Sequence, residues 1–299
     1  MIKVETKKRR QRFIRRLLAV LVILALALGL GYAAYQNQQQ ENAEKIAQQR
    51  AQKKQEIKKL YRESKMSAAK KKYLKPFLYT QDPDKVISII KHYKDYPTDI
   101  IKYASKDTDR FEYLYQYPKR KGKSYTKPLK KSEVNSDHVV SLIQWDTRWG
   151  YQTYGEAAMA RTGCAPTSLS MVLSYLKQDR SLTPAELDRF SEANNEYVDG
   201  AGTSWDLFPK AAEYYGVNCT SVSLDADSIR SELEAGHPII MSVKAGIFTS
   251  VGHFIVLSGI NKDGTVKICD PNSKKNTKKS WKMDTLLSQG VMAYSFSNQ

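Results

Sequence analysis

Cysteine is scarce in this sequence. Three in 299 residues, Cys164, Cys219 and Cys269, are too few for a disulfide framework and odd in number, so at least one is free or pairs with another molecule. No Cys/His pair stands at ligand-like spacing, so no metal is expected. An internal repeat of solenoid-like period is also missing. The chain is nevertheless long enough to bury a core without metals or cross-links. The C-terminal half lacks a basic excess as well. The formal charge is +17, yet residues 136–299 carry 15 basic and 18 acidic side chains, so all of the excess lies upstream of them. That distribution argues against a nucleic-acid enzyme, and no nucleic-acid partner is expected.

Charge is wholly missing from Leu17 to Tyr35, a run of 19 residues. As a helix it would match the hydrocarbon thickness of a bilayer, which predicts a transmembrane signal-anchor over 17–35. The basic segment 1–16 before it, with Lys7, Lys8, Arg9, Arg10, Arg12, Arg15 and Arg16, would stay cytoplasmic. The expected location is therefore the cell membrane, single-pass, with the C-terminal domain outside. Gly31-Tyr32-Ala33 offers a small-x-small site, so secretion after signal cleavage is the alternative.

Residues 36–78 read as a basic helical stem. Between 37 and 75 there is no Gly or Pro, and Gln, Lys, Glu, Ala and Arg dominate, which favours helix while offering little to bury. Residues 79–135 read as a small helical segment and linker. Two short helices are expected, one carrying Val86, Ile87, Ile89 and Ile90 and one carrying Ile100, Ile101 and Tyr103. The aromatic cluster Phe111, Tyr113, Tyr115 and Tyr117 then leads into the basic stretch 118–123, read as a surface linker.

The residues able to do chemistry lie in 136–299. Leu169, Val172, Leu173 and Leu176 mark one helical face, and the helix they predict begins at Gly163-Cys164-Ala165-Pro166. Pro166 in the first turn costs nothing, because its missing N–H would have no partner there. The free amides and the macrodipole at that end favour a thiolate on Cys164, a candidate nucleophile. A cysteine at a helix start also packs simply as a small apolar residue, so the nucleophile reading requires a base. His253 supplies one. It opens a strand-like run to Ile260, followed by the turn 261–264 and a second strand to Asp270. If Ile260 opposes Thr265, then Ile255 opposes Asp270, and alternation puts His253 and Asp270 on one face of the hairpin. Nucleophile, base and orienter are then all present, in the chain order Cys, His, Asp. Gln144 is the candidate oxyanion donor beside the Cys164 amide. Trp205, which follows Gly202-Thr203-Ser204 at an expected helix start, is a candidate for lining a substrate cleft. His92, His138 and His237 are read as structural, as are Cys219 and Cys269.

Residues from about 140 to 295 resemble the papain-like bacterial cysteine peptidases related to the bacteriocin-leader (double-glycine) processing peptidases, peptidase family thirty-nine. The matching segments are Gln144-x-Asp146-x-x-Trp149-Gly150, Gly163-Cys164-Ala165-Pro166-Thr167-Ser168, Gly202-Thr203-Ser204-Trp205, Gly236-His237-Pro238, Gly252-His253-Phe254 and Asp270-Pro271. The stretch from Tyr96-Pro97 to Tyr117-Pro118 is similar to the helical segment that often precedes this domain in exported members. The resemblance implies an α+β, papain-like peptidase domain, preceded here by a membrane-spanning helix and a helical stem. It implies Cys164 as nucleophile, His253 as general base and acid, Asp270 as orienter and Gln144 as oxyanion donor, with no cofactor. The leader-processing members proper carry their Gln a few positions before the cysteine, where this chain has Met159, so their substrate does not transfer. The expected activity is hydrolysis of peptide bonds in a peptide or protein, cell-wall peptide included. A peptidoglycan amidase on the same triad and a non-catalytic surface binding protein are the alternatives.

Overall fold

The computed structural model describes residues 2–299, with side chains at 14–21 and 28–299. It divides into two compact units, 1–94 and 95–299. In the first, α1 (Ile2–Glu63) runs through the stem without a break. After Ser67, whose hydroxyl accepts the Lys70 amide, come α2 (Ala68–Leu74) and α3 (Pro83–Lys91). The start of α3 follows from its sequence: Asp82 caps the Asp84 and Lys85 amides and Pro83 takes the first helical position. Lys53–Asp84 and Lys91–Glu56 pairs join α1 to α3, and Ile57, Val86, Ile89 and Ile90 are buried. Among the described residues no helix is long and apolar enough to cross a membrane. The span expected at 17–35 includes 22–27, which lie outside the described side chains.

The second unit opens with α4 (Thr98–Ser105) and α5 (Phe111–Arg120). The aromatic cluster read as the lead-in to a linker is in fact α5. Phe111, Tyr113, Leu114 and Tyr117 are buried on one face, and Tyr113 stacks on Tyr151 with ring centroids 4.7 Å apart. The Tyr151 hydroxyl donates to the Tyr113 carbonyl at 2.9 Å. This burial explains why the compact unit begins at Asp95 and not near 136, where the sequence suggested a boundary.

A short hairpin, β1 (Thr153–Tyr154) and β2 (Ala157–Ala158), leads to α6 (Met159–Thr162), α7 (Cys164–Lys177) and α8 (Pro184–Ala193). There follow β3 (Tyr197–Val198), β4 (Gly202–Thr203), α9 (Leu207–Tyr215), β5 (Val217–Ser221), α10 (Ala226–Glu234), β6 (Ile239–Val243) and β7 (His253–Ile260). The chain ends with β8 (Val266–Cys269), α11 (Lys274–Thr277), β9 (Ser280–Trp281), α12 (Met283–Gln289) and β10 (Gly290–Asn298). Six strands form an antiparallel sheet in the order β5-β10-β6-β7-β8-β9. Alternation divides its side chains between two cores. Ile240, Phe254, Val256 and Phe296 face Leu169, Val172 and Leu173 of α7, while Ile239, Met241, Ile255 and Leu257 face Ile229 of α10 and Leu286 of α12. The result is the expected mixture of helices and antiparallel sheet.

The β7–β8 register differs from expectation at one end. Ile260 pairs with Val266, one residue further along than the turn predicts, and an irregularity between Leu257 and Gly259 absorbs the extra residue. Past it, Val256 pairs with Cys269, so the register expected near His253 and Asp270 is restored.

Leu173, fully buried between α7 and the sheet, reports on this core. Leu173→Ala should cost about 2–5 kcal/mol in chemical denaturation. A loss well under about 1 kcal/mol would contradict the packing described.

Candidate active site

The start of α7 is built from close backbone contacts. Gly163 donates its amide to the Met159 carbonyl at 2.8 Å, and a Cβ at this position would lie 2.6 Å from that oxygen and 2.4 Å from the Met159 Cγ. Only glycine fits, and the tight join of α6 to α7 leaves Cys164 part-exposed at the first turn. First-turn amides of a helix lack intrahelical acceptors, so they are free to meet negative charge on the thiol or on a substrate.

His253 opens β7, pairs with Val243 in the ladder and is 5 % exposed. Its Nε2 lies 2.8 Å from Asp270 Oδ1, and the Cys164 side chain is near enough to favour the charged form of the ring. With Nε2 committed to the carboxylate, Nδ1 is the ring nitrogen left for sulfur. Asp270 is fully buried and held on every side: Oδ1 also accepts the Asn272 amide at 2.8 Å, and Oδ2 accepts Asn276 Nδ2 at 2.7 Å. Burial alone would lower the His253 pKa. The hydrogen bond to Asp270, the nearness of Cys164 and the negative charge on both outweigh that and raise it well above the ordinary imidazole range.

Gln144 is 1 % exposed, with its amide donating to the Pro271 carbonyl at 2.8 Å. Its Nε2 donates to the Ala160 carbonyl at 2.8 Å, which fixes the orientation of the side-chain amide because a carbonyl can only accept. One Nε2 proton remains uncommitted, and the buried Oε1 has no partner. The rest of the Gln144-x-Asp146-x-x-Trp149-Gly150 motif is structural. Asp146 and Glu133 grip Arg148, Trp149 Nε1 donates to the Ile143 carbonyl, and Gly150 sits where a Cβ would press on the Asp146 carbonyl at 2.9 Å.

Cys164, His253 and Gln144 line one cleft of about 540 Å³. The 248–252 loop before β7 borders it, as do Asn272 and Asn276 after β8. Asp270 lies behind His253, reached through the ring. Trp205 is a correction: it is exposed just before α9 and does not line this cleft. Thr203, two residues before it, is hydrogen-bonded through Oγ1 to the Tyr154 hydroxyl at 2.7 Å. Cys219 and Cys269 are free thiols outside the cleft, and burial pushes their pKa values up to about 12 and about 11. His237 Nδ1 bonds Glu232 at 2.8 Å and takes no part in the cleft. Among the described residues no cluster of His, Cys, Asp and Glu could hold a metal.

Residues 136–296 match the Peptidase_C39 like family, more than half of the chain. The chain belongs to this family. It is a cysteine peptidase. Among solved structures, the peptidase domain of ComA, a bifunctional ABC transporter of Streptococcus involved in quorum sensing, is similar at 20% identity and a TM-score of 0.37, over 46% of this chain and 93% of that one. A double-glycine-motif protease from an AMS/PCAT transporter, solved with its leader peptide, is similar at 24% identity and a TM-score of 0.34, over 46% and 84%. None of the curated proteins matches the chain.

The cleft also contains residues outside the matched segment. Tyr103, Lys106 and Arg110 line the cleft from the α4–α5 segment, to which the sequence assigned no chemistry. The Tyr103 hydroxyl donates to the Ala160 carbonyl, the same oxygen that receives Gln144 Nε2. Asn272 and Asn276 were missed as well; their signal was proximity to Asp270 in sequence.

The raised His253 pKa gives a pH prediction. An imidazolium that outlasts its ordinary value of 6.5 keeps the thiolate company to higher pH, so rapid alkylation of Cys164 should persist as a distinct phase well above that value. Asp270→Asn removes the charge that favours the imidazolium and should draw the upper edge of the phase down. Labelling followed by peptide mass reads it, and an unmoved edge would contradict the coupling.

Proposed function

We propose that this cysteine peptidase hydrolyses peptide bonds through a Cys164–His253–Asp270 triad and an acyl-enzyme. The observation that carries the reading is His253, bonded to Asp270 through Nε2 and lining one cleft with Cys164. In the proposed sequence Cys164 thiolate attacks the scissile carbonyl carbon and the carbonyl electron pair moves onto oxygen. The Cys164 amide and the free Nε2 proton of Gln144 stabilise that oxyanion. Collapse expels the amine, which takes its proton from the His253 imidazolium, leaving a thioester. Neutral His253 then deprotonates a water that attacks the thioester, and the acid product leaves with thiolate and imidazolium restored. Asp270 keeps the ring oriented and compensates its charge throughout.

The proposal extends to location. The uncharged run 17–35 behind a strongly basic segment supports tethering to the membrane with the peptidase domain outside the cytoplasm, where its substrate is a peptide, a protein or cell-wall peptide.

Incubation with a peptide library, read by mass, tests the chemistry. Cleavage should vanish in Cys164→Ala, survive in Cys219→Ser, and fall about 100- to 1,000-fold in kcat in Gln144→Ala. Cleavage that survives in Cys164→Ala would overturn the nucleophile assignment. Release of wall fragments with no peptide cleavage would move the reading to an amidase. Protease added to intact cells should degrade the C-terminal domain, and full protection would contradict the orientation.

A further inference from the structure

A buried cation beside the cleft has no role in the mechanism so far. Arg110, in the single turn between α4 and α5, is only 6 % exposed. Among the described residues no carboxylate lies within salt-bridge distance of it. Its guanidinium instead rests over the Tyr103 ring, 4.3 Å from the centroid, and donates through Nη1 to the Tyr103 carbonyl at 3.0 Å. Nη2 reaches Asn272 twice, at Oδ1 (2.9 Å) and at the backbone carbonyl (3.2 Å), while Nε has no partner. Burying a guanidinium against neutral oxygens is costly, and simple docking of α4 and α5 would be better served by apolar side chains.

The two bonds to Asn272 show where that cost is useful. Asn272 presents its amide N–H to Asp270 Oδ1 at 2.8 Å, and this is the oxygen that receives His253 Nε2. Trp145 Nε1 donates to the Asn272 carbonyl at 3.2 Å. Asn272 is thus fastened by two side chains, and Arg110 contributes the only charge between them.

We propose that Arg110 is a positioning residue of the peptidase, which locks the 270–272 turn so that Asp270 Oδ1 stays aimed at His253. The inference rests on the triad reading above. It makes the α4–α5 segment, which lies before the family-matched residues, part of the working enzyme.

The test measures the pH profile of Cys164 alkylation in the full chain, held in detergent, for wild type, His253→Ala, Arg110→Gln and Arg110→Lys. Arg110→Gln should slow labelling at neutral pH about tenfold and lower the upper edge of the fast phase by about one pH unit. Arg110→Lys, which keeps the charge and one donor but not the fork, should recover part of both. A profile identical to wild type in Arg110→Gln, with only thermal stability reduced, would overturn the proposal. Should Arg110→Gln fail to fold, Asn272→Ala removes the Oδ1 acceptor while keeping the amide donor, and it should narrow the fast phase in the same sense; an unchanged profile there overturns the proposal equally. Labelling that ignores His253→Ala would remove the triad itself. Dependence on His253 without dependence on Arg110 or Asn272 removes the positioning role alone.

Discussion

His253 is buried between a carboxylate and a thiol, and a buried imidazole can be held as a cation only if both of its nitrogens are occupied. That requirement reaches through the whole second unit. It needs β7 and β8 in a register that sets Asp270 beside His253, and it needs α7 to begin within reach of the ring. It also needs the turn after β8 to supply enough donors that Asp270 remains an acceptor. Asn272 and Asn276 supply them, and the loop is pinned in turn by Trp145 and Arg110. Polar groups in such a network are worth little singly and a good deal jointly, because the loss of one leaves its neighbour buried and unpaired.

Gln144 shows the opposite economy. One end of its amide is tied to Ala160, and the other, Oε1, is buried without a partner. An unpaired buried acceptor is unusual in a folded protein, and it persists here where the proposed reaction needs a donor already in place. The tether to Ala160, shared with Tyr103, keeps the amide from turning over to satisfy Oε1 at the expense of its donor.

Much of this site was legible in the sequence because it depends on local rules. The glycine before Cys164, Pro166 in the first turn and the apolar i, i+3, i+4, i+7 face announce a helix start, and the fold has one there. Strand parity brings His253 and Asp270 together, although the expected pairing of Ile260 with Thr265 is off by one. The irregularity near Ser258 compensates, so the pairing expected near His253 and Asp270 holds across a register that changes midway. What was not legible is non-local. In the alternating aromatics 111–117, Tyr115 and Tyr117 hide the i, i+3, i+4 pattern; the resemblance implied a helical segment there, but only contact with Tyr151 shows which face is buried. Nothing near Arg110 in the chain indicates that it meets Asn272, 162 residues away. Trp205 follows a glycine loop, a position that says nothing of which face it takes, and it is exposed outside the cleft.

The protonation state of His253 tests the account most directly. In protein carrying isotope-labelled histidine, nuclear magnetic resonance should show both His253 nitrogens protonated at about pH 8, with the Nε2 proton shifted downfield by its bond to Asp270. Replacing Cys164 by Ala should let the ring lose its proton at lower pH. A His253 that is neutral at that pH in the wild type and titrates like a free imidazole, with or without Cys164, would contradict the paired thiolate and imidazolium on which the proposed chemistry depends.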